Sequence, residues 1–192
     1  MTTNHLDDPH TPVALAGSLT QLREFRSADG ADAFAIVGDD KVTRHLSFDS
    51  RSRDDTQAMI DSAVERAKSR PRTEYYLGMT RLDDDRLIGF CRLGLSGVRA
   101  AKLGYAVAAA HWGNGYATDA VRTALAFAFG PLNLHRVTVA IGPDNPASQK
   151  VVEHLEFARE GVLRDHVYTN GDWRDSVLYS VLSDERSRRA HG

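Results

Sequence analysis

The chain has 192 residues, 42% hydrophobic and 26% charged, enough apolar material for the core of one compact domain. Its formal net charge of −2 gives no global basic field, which argues against nucleic acid or an anionic membrane as the primary partner. A single cysteine excludes an intrachain disulfide; with no signal-peptide pattern and no apolar run that spans a bilayer, a cytoplasmic location is expected.

Residues 1–18 mix Thr, Asp, His and Pro with little periodicity and read as a flexible arm with room for a short strand. One domain is expected over 19–184, followed by a flexible polar tail over 185–192. Leu19, Gln21, Arg23 and Phe25 begin it as a strand, and Ala31, Phe34, Ala35 and Val37 form a short helix ending at the polar turn Gly38, Asp39, Asp40. A second helix runs from Arg53 to Ser69 and stops before Pro71. Three strands follow at Glu74 to Arg81, Leu87 to Leu95 and Ala101 to Val107, with Asp83, Asp84 and Asp85 as a turn, forming an antiparallel meander.

Next comes a long helix to Phe129 with a stripe of small residues, Ala117, Ala120, Val121, Ala124 and Ala128, suited to close packing on a sheet. Gly130 and Pro131 end it. His135 to Ile141 read as a buried strand, Asn145 to Leu155 as a short helix, and Phe157 to His166 and Trp173 to Leu182 as a hairpin turning at Asn170 and Gly171. This order describes an α/β domain with a mixed sheet.

The junction into the long helix carries the first chemical signal. Gly113 and Gly115 let the backbone approach a ligand, and the free N–H groups of the helix's first turn then face an anion. An ordinary strand-to-helix turn is the alternative. A dinucleotide site is disfavoured, because the G-x-G-x-x-G fingerprint lacks its third glycine and no acidic residue follows about 20 positions on. The eight histidines contain no H-E-x-x-H or close paired spacing, so no metal is expected. Cys91 lies in a strand beside Phe90 and Leu93 and reads as a packed core thiol.

Trp112, Gly113, Asn114, Gly115, Tyr116 and Ala117 resemble the pyrophosphate motif of the GNAT superfamily of acyl-CoA-dependent N-acyltransferases, with Trp112 at the usual Gln/Arg position. Gly104, Tyr105 and Thr118 extend the likeness toward the Rim-type branch that acetylates ribosomal-protein N-termini. A second segment, Asp144, Asn145, Pro146, Ala147, Ser148 and on to Glu156, Phe157, agrees, although Glu156 stands where glycine is usual. The resemblance implies a mostly antiparallel sheet with a V-shaped splay, acetyl-CoA as co-substrate, and direct transfer to an amine, foremost a protein N-terminal α-amine. Alternatives are a small-molecule amine acceptor or a non-catalytic acyl-CoA-binding regulatory module.

By the same resemblance, Val107 near the splay holds pantetheine through its backbone and offers an oxyanion donor. Trp112, Gly113, Asn114, Gly115, Tyr116, Ala117 and Thr118 meet the pyrophosphate, Asn145 bonds the cofactor, and Ser148 sits near sulfur and protonates the departing thiolate. One departure matters. Characterised members of this branch carry a glutamate, assigned as general base, at the position of Val167, and valine cannot accept a proton. His166 is the substitute candidate, with Asp165 and Tyr168 beside it, although strand alternation places His166 opposite to Val167's face. A surface histidine is the default for His166. Asp175 either binds the acceptor or satisfies hairpin backbone; Tyr168 and Trp173 either line an acceptor pocket or pack the hairpin. The acceptor, the acyl chain length and the oligomeric state, a homodimer included, are left open.

Overall fold

The computed structural model describes residues 12–185, so most of the expected arm (1–11) and of the tail (186–192) lies outside the described residues. In chain order the elements are β1 (Ala14–Ala16), β2 (Thr20–Glu24), α1 (Gly30–Val37), α2 (Asp40–Thr43), α3 (Arg53–Ala67), β3 (Glu74–Arg81), β4 (Asp84–Leu95), β5 (Ala100–Val107), α4 (Tyr116–Phe129), β6 (Arg136–Ile141), α5 (Pro146–His154), β7 (Ala158–Thr169) and β8 (Asp172–Leu182). The strands form one sheet in the order β1-β2-β3-β4-β5-β6-β8-β7. Every neighbouring pair is antiparallel except β5 with β6.

Two apolar layers hold the helices to the sheet. On one face α4 buries Ala120, Val121, Ala124, Leu125 and Ala128 completely or nearly so, against Leu93, Leu103, Val137 and Val139. The small residues of the expected stripe permit that close approach. On the other face α1 and α3 pack Ile36, Val37 and Ile60 against Phe90 and Ala106. Alternation along β4 and β5 supplies both layers at once, which is why Phe90 and Cys91, or Ala106 and Val107, serve opposite faces.

The structure corrects two details of the sequence reading and gives the arm its short strand. The predicted Asp83–Asp85 turn is shorter, because Arg81 pairs with Asp84 and β4 begins there; Arg23 and Arg26 draw the Asp85 carboxylate to the strand. Asp39 is the cap of the short helix α2 rather than part of a turn, its side chain accepting from Lys41 N at 2.9 Å. Four residues carry too little periodicity to announce a helix. Within the expected arm, Ala14–Ala16 form an edge strand against β2, and the following loop is pinned by buried Asp119. That carboxylate accepts from Ser18 N and Leu19 N at 3.0 Å, Thr20 N at 2.9 Å and Thr20 Oγ1 at 2.8 Å.

The sheet opens at its centre. β5 and β6 pair only from Ala100↔Arg136 to Lys102↔Thr138, after which β5 stays with β4 and β6 with β8. The two strands diverge because each is held by its antiparallel partner, and the V-shaped gap between them is the entrance to the site.

Candidate active site

The gap widens into a cleft of about 830 Å³ between Leu103–Val107 of β5 and Val139–Ile141 of β6. The segment 111–118, Asn145, Ser148, His166 and Val167 all line it, so the fold brings the separate sequence segments to one space.

At one end lies the glycine turn. Gly113 and Gly115 both have φ of +78°, in the left-handed region, and a Cβ on Gly113 would meet open space. Glycine is therefore required by the turn's conformation, not by crowding. No side chain caps α4, and its first helical bond runs from Asp119 N to Gly115 O. The amides of Tyr116, Ala117 and Thr118 thus project from the helix end, where the dipole favours an anion. Asn114 directs its side-chain amide inward, donating to His111 O at 3.1 Å and Trp112 O at 3.0 Å, so it shapes the turn. Trp112 donates from Nε1 to Val107 O at 2.8 Å and ties the turn to the end of β5.

That bond also reports the orientation of β5. Ala108 N donates to Ile88 O at 2.8 Å, and in the alternating antiparallel ladder the N–H and C=O of Val107 then face away from β4, toward the gap. Register thus turns the Val107 N–H to the cleft, while its C=O already accepts from Trp112.

Across the gap, α5 starts with Asn145 as its cap, its side chain accepting from Ser148 N at 3.1 Å, and Pro146 as its first residue. Ser148 therefore sits in the first turn, facing the cleft. The Tyr105 hydroxyl of β5 donates to Ser148 O at 3.1 Å and bridges the two arms of the V. Burial pushes that phenol up to about 12, so it remains a donor at every working pH.

His166 departs from the expected alternation. Leu163 pairs with Ser176 and Val167 with Arg174, leaving Arg164, Asp165 and His166 opposite Asp175 alone. This bulge, with Asp165 at φ +47° and its N–H on Asp175 Oδ1 at 2.9 Å, turns both His166 and Val167 to the cleft. Asp175 thus has the structural role, satisfying the bulged backbone. His166 Nδ1 lies 3.0 Å from the Oγ of buried Ser176.

The fourth wall comes from residues that the sequence pattern passed over. Val42, His45, Leu46 and Ser47, in and after α2, line the cleft. Arg174 of β8 donates to the carbonyl oxygens of Arg44 and, at 2.6 Å, Leu46, and Asn170 N donates to Asp49 Oδ1 at 2.8 Å. The two carbonyls held by Arg174 flank His45 along the chain, and its Nδ1 is shielded from solvent and without a hydrogen-bond partner among the described residues. Burial pushes His45 below its ordinary value; Asp144 opposes this and Arg44 and Arg174 reinforce it. Nothing in the sequence pattern singles out His45.

Comparison with known proteins agrees with this geometry. A family model described as an acetyltransferase (GNAT) domain matches residues 20–158. The chain belongs to the GNAT acetyltransferase family. An uncharacterized N-acetyltransferase of Bacillus subtilis, YoaA, is 30% identical over 166 residues, 84% of this chain and 92% of that protein. The [ribosomal protein uS5]-alanine N-acetyltransferase of Escherichia coli is 26% identical over 114 residues, 58% of this chain and 59% of that enzyme. Among solved structures, Mycobacterium smegmatis RimJ in complex with CoA-disulfide superimposes with a TM-score of 0.78 at 25% identity, covering 93% of this chain and 90% of that one.

In this GNAT chain other candidate groups fall outside the chemistry. Cys91 is buried in the core and its thiol is pushed up to about 12 by that burial, so it carries no thiolate near neutral pH. Tyr168 and Trp173 pack edge to face at 5.3 Å on the hairpin, both more than half exposed, and neither lines the cleft. Among the described residues no helix is long and apolar enough to cross a membrane.

Proposed function

We propose that this GNAT N-acetyltransferase moves an acetyl group from acetyl-CoA directly to an amine, foremost the α-amine of a protein N-terminus. The observation that carries the proposal is the single cleft joining the glycine turn, the open edge of Val107, Ser148 and His166.

The fit to coenzyme A rests on two features of the chain. The turn at Gly113 and Gly115 leaves an uncapped helix end whose amides suit a pyrophosphate. The edge of β5 that faces away from β4 offers strand-like backbone bonds to a pantetheine amide. Gly113, Gly115, Tyr116, Ala117 and Thr118 hold the phosphates, Asn114 and Trp112 keep the turn in shape, and Asn145, whose oxygen caps α5, has its NH₂ for the cofactor. Acetyl-CoA supplies an activated thioester.

The residues then divide the work. Val107 N–H donates to the oxyanion that develops as the amine attacks. His166, with Nδ1–H held by Ser176, presents Nε2 as proton acceptor to the amine. Ser148, in the first turn of α5, relays a proton to the departing sulfur and takes one back from solvent, while the proton shed by the amine leaves through His166. The carboxylate missing at Val167 is tolerable for an acceptor that deprotonates easily. Freeing an α-amine of pKa about 7.8 at pH 7 costs about 1 kcal/mol, against about 4.6 kcal/mol for a lysine near 10.4.

The test is release of free CoA thiol with matched peptides bearing either a free N-terminus or a lysine ε-amine. The N-terminal peptides are expected to have the higher kcat/KM. Preference for lysine would overturn the acceptor assignment, and tight acetyl-CoA binding without turnover of any amine would overturn transfer itself.

A further inference from the structure

The amine is only half of an acceptor, and His45 faces the other half. Resting on the acetyl-transfer reading above, we infer that His45 is an acceptor-recognition residue whose Nε2–H donates to the carbonyl oxygen next to the reacting amine. The cleft then selects an α-amino acyl group, as at a peptide N-terminus, over an alkylamine or polyamine that has no such carbonyl.

The first support is position. His45 lines the same cleft as Ser148 and His166, but from the α2 side, and the two histidines are linked through β8: His166 touches Ser176, while Arg174, two residues before it, holds the carbonyls flanking His45. The second is rigidity. The backbone carbonyls on either side of His45 are both held by Arg174, and Asp49 fastens the same loop to Asn170. A donor fixed in advance loses little freedom when the acceptor arrives.

The third is the assignment of the ring nitrogens. Nδ1 is shielded and has no partner among the described residues, whereas the ring itself is only partly buried and borders the cleft, which leaves Nε2 as the nitrogen open to an acceptor. An orphaned buried N–H is a rarer and costlier arrangement than an under-used acceptor. The neutral ring therefore keeps its proton on Nε2. Charging it would add a second N–H at the shielded Nδ1; burial, Arg44 and Arg174 disfavour that cation, and Asp144 favours it. His45 is thus an uncharged donor near neutral pH and is neither a base nor an anion for a cationic substrate.

The fourth is complementarity. Arg92, Lys102 and Arg174 line this cleft against the carboxylates of Asp144 and Asp175, and Asp175 is already bonded to the bulge, so the wall carries no surplus of negative charge to attract a polyvalent cation. A polyamine has N–H groups but no acceptor while charged, and it would bury the His45 Nε2–H unpaired; a peptide carbonyl satisfies it.

The experiment compares wild type, His45→Leu and His45→Gln on an alanyl tripeptide with a free N-terminus and on isopropylamine, which replaces the carbonyl by a methyl group. His45→Leu is expected to lower kcat/KM for the tripeptide about fivefold to tenfold, the loss of one hydrogen bond, and to leave isopropylamine unchanged. His45→Gln, which keeps an N–H at the corresponding reach, is expected to restore most of the loss. The acid limb of the pH–rate profile is expected to stay in place in all three. An equal loss on both amines without rescue by Gln would make His45 merely structural, and disappearance of the acid limb in His45→Leu would make it the base; either overturns the inference. Turnover of both amines with no change in His45→Leu also overturns it while leaving acetyl transfer intact. Failure of the wild type on both amines would sink the transfer reading and the inference with it.

Discussion

Val167 of β7 stands directly opposite Arg174 of β8, and it is the arginine that connects this hairpin to the α2 side of the cleft, through the carbonyls of Arg44 and Leu46. A position where the family resemblance leads one to look for a carboxylate is paired instead with a clamp on the loop after α2. Arg174→Met removes both bonds. Amide exchange over residues 44–49 is expected to accelerate about tenfold or more, and the acceptor KM to rise several-fold with acetyl-CoA affinity unchanged. Exchange that stays at the wild-type rate would show that the loop is held by packing alone.

Gly115 begins α4 at φ +78°, and a Cβ there would meet only Leu19 Cδ1 at 3.6 Å, an ordinary contact. Gly115→Ala therefore tests backbone strain, at about 1–2 kcal/mol, and Gly115→Glu adds a negative charge where the phosphates are expected. Calorimetric titration with CoA is expected to show weaker binding for Glu than for Ala, and at least tenfold weaker than wild type. Equal affinity in all three would remove the cradle from the pyrophosphate.

Asp119 joins the fold to this turn, since its buried carboxylate at the start of α4 holds the β1–β2 connection. Burial raises its pKa, but the bonds from Leu19, Thr20 and Ser18 outweigh that and hold it below the ordinary carboxylate value. A carboxylate depressed on folding contributes stability that is complete above its unfolded pKa of about 3.9 and is lost as the pH falls through the lower folded value. Asp119→Ala is expected to cost about 2–4 kcal/mol in urea unfolding at pH 7, and the gap from wild type is expected to narrow below pH 4. A gap independent of pH would deny the carboxylate this role.

Glu156 shows what the likeness to the family foresaw and what it did not. Phe157 N bonds to Val152 O and Glu156 N to Glu153 O, both at 2.9 Å, and Glu156 takes φ +65°. This is the left-handed residue that closes a helix, where glycine is the low-strain choice. Glu156→Gly is expected to stabilise the protein by about 1 kcal/mol, read as a raised Tm. A lowered Tm would mean that the Glu156 side chain contributes more than the strain it imposes.

Most of the sheet and both motifs were legible because they depend on local signals. Alternation marked β3 to β5, the glycines marked the turn into α4, and Asn170–Gly171, at φ +54° and +77°, marked the hairpin. The site was less legible where it depends on contacts remote in sequence. The bulge that brings His166 to the same cleft as Val167 follows from pairing with Asp175 and Ser176, which no pattern within β7 reveals. The loop that carries His45 is fastened by Arg174, 129 positions later, which closes on the carbonyls around it.

Acetyl transfer through this cleft is tested most directly by steady-state kinetics of Ser148→Ala on a free N-terminal peptide, beside acetyl-CoA titration of the same variant. Loss of the proposed proton donor is expected to lower kcat by at least about a hundredfold, with acetyl-CoA affinity within about twofold, because the serine's backbone bond to Asn145 survives the change. An unchanged kcat with weakened acetyl-CoA binding would contradict this, and would make Ser148 a binding residue in a cleft whose proton chemistry lies elsewhere.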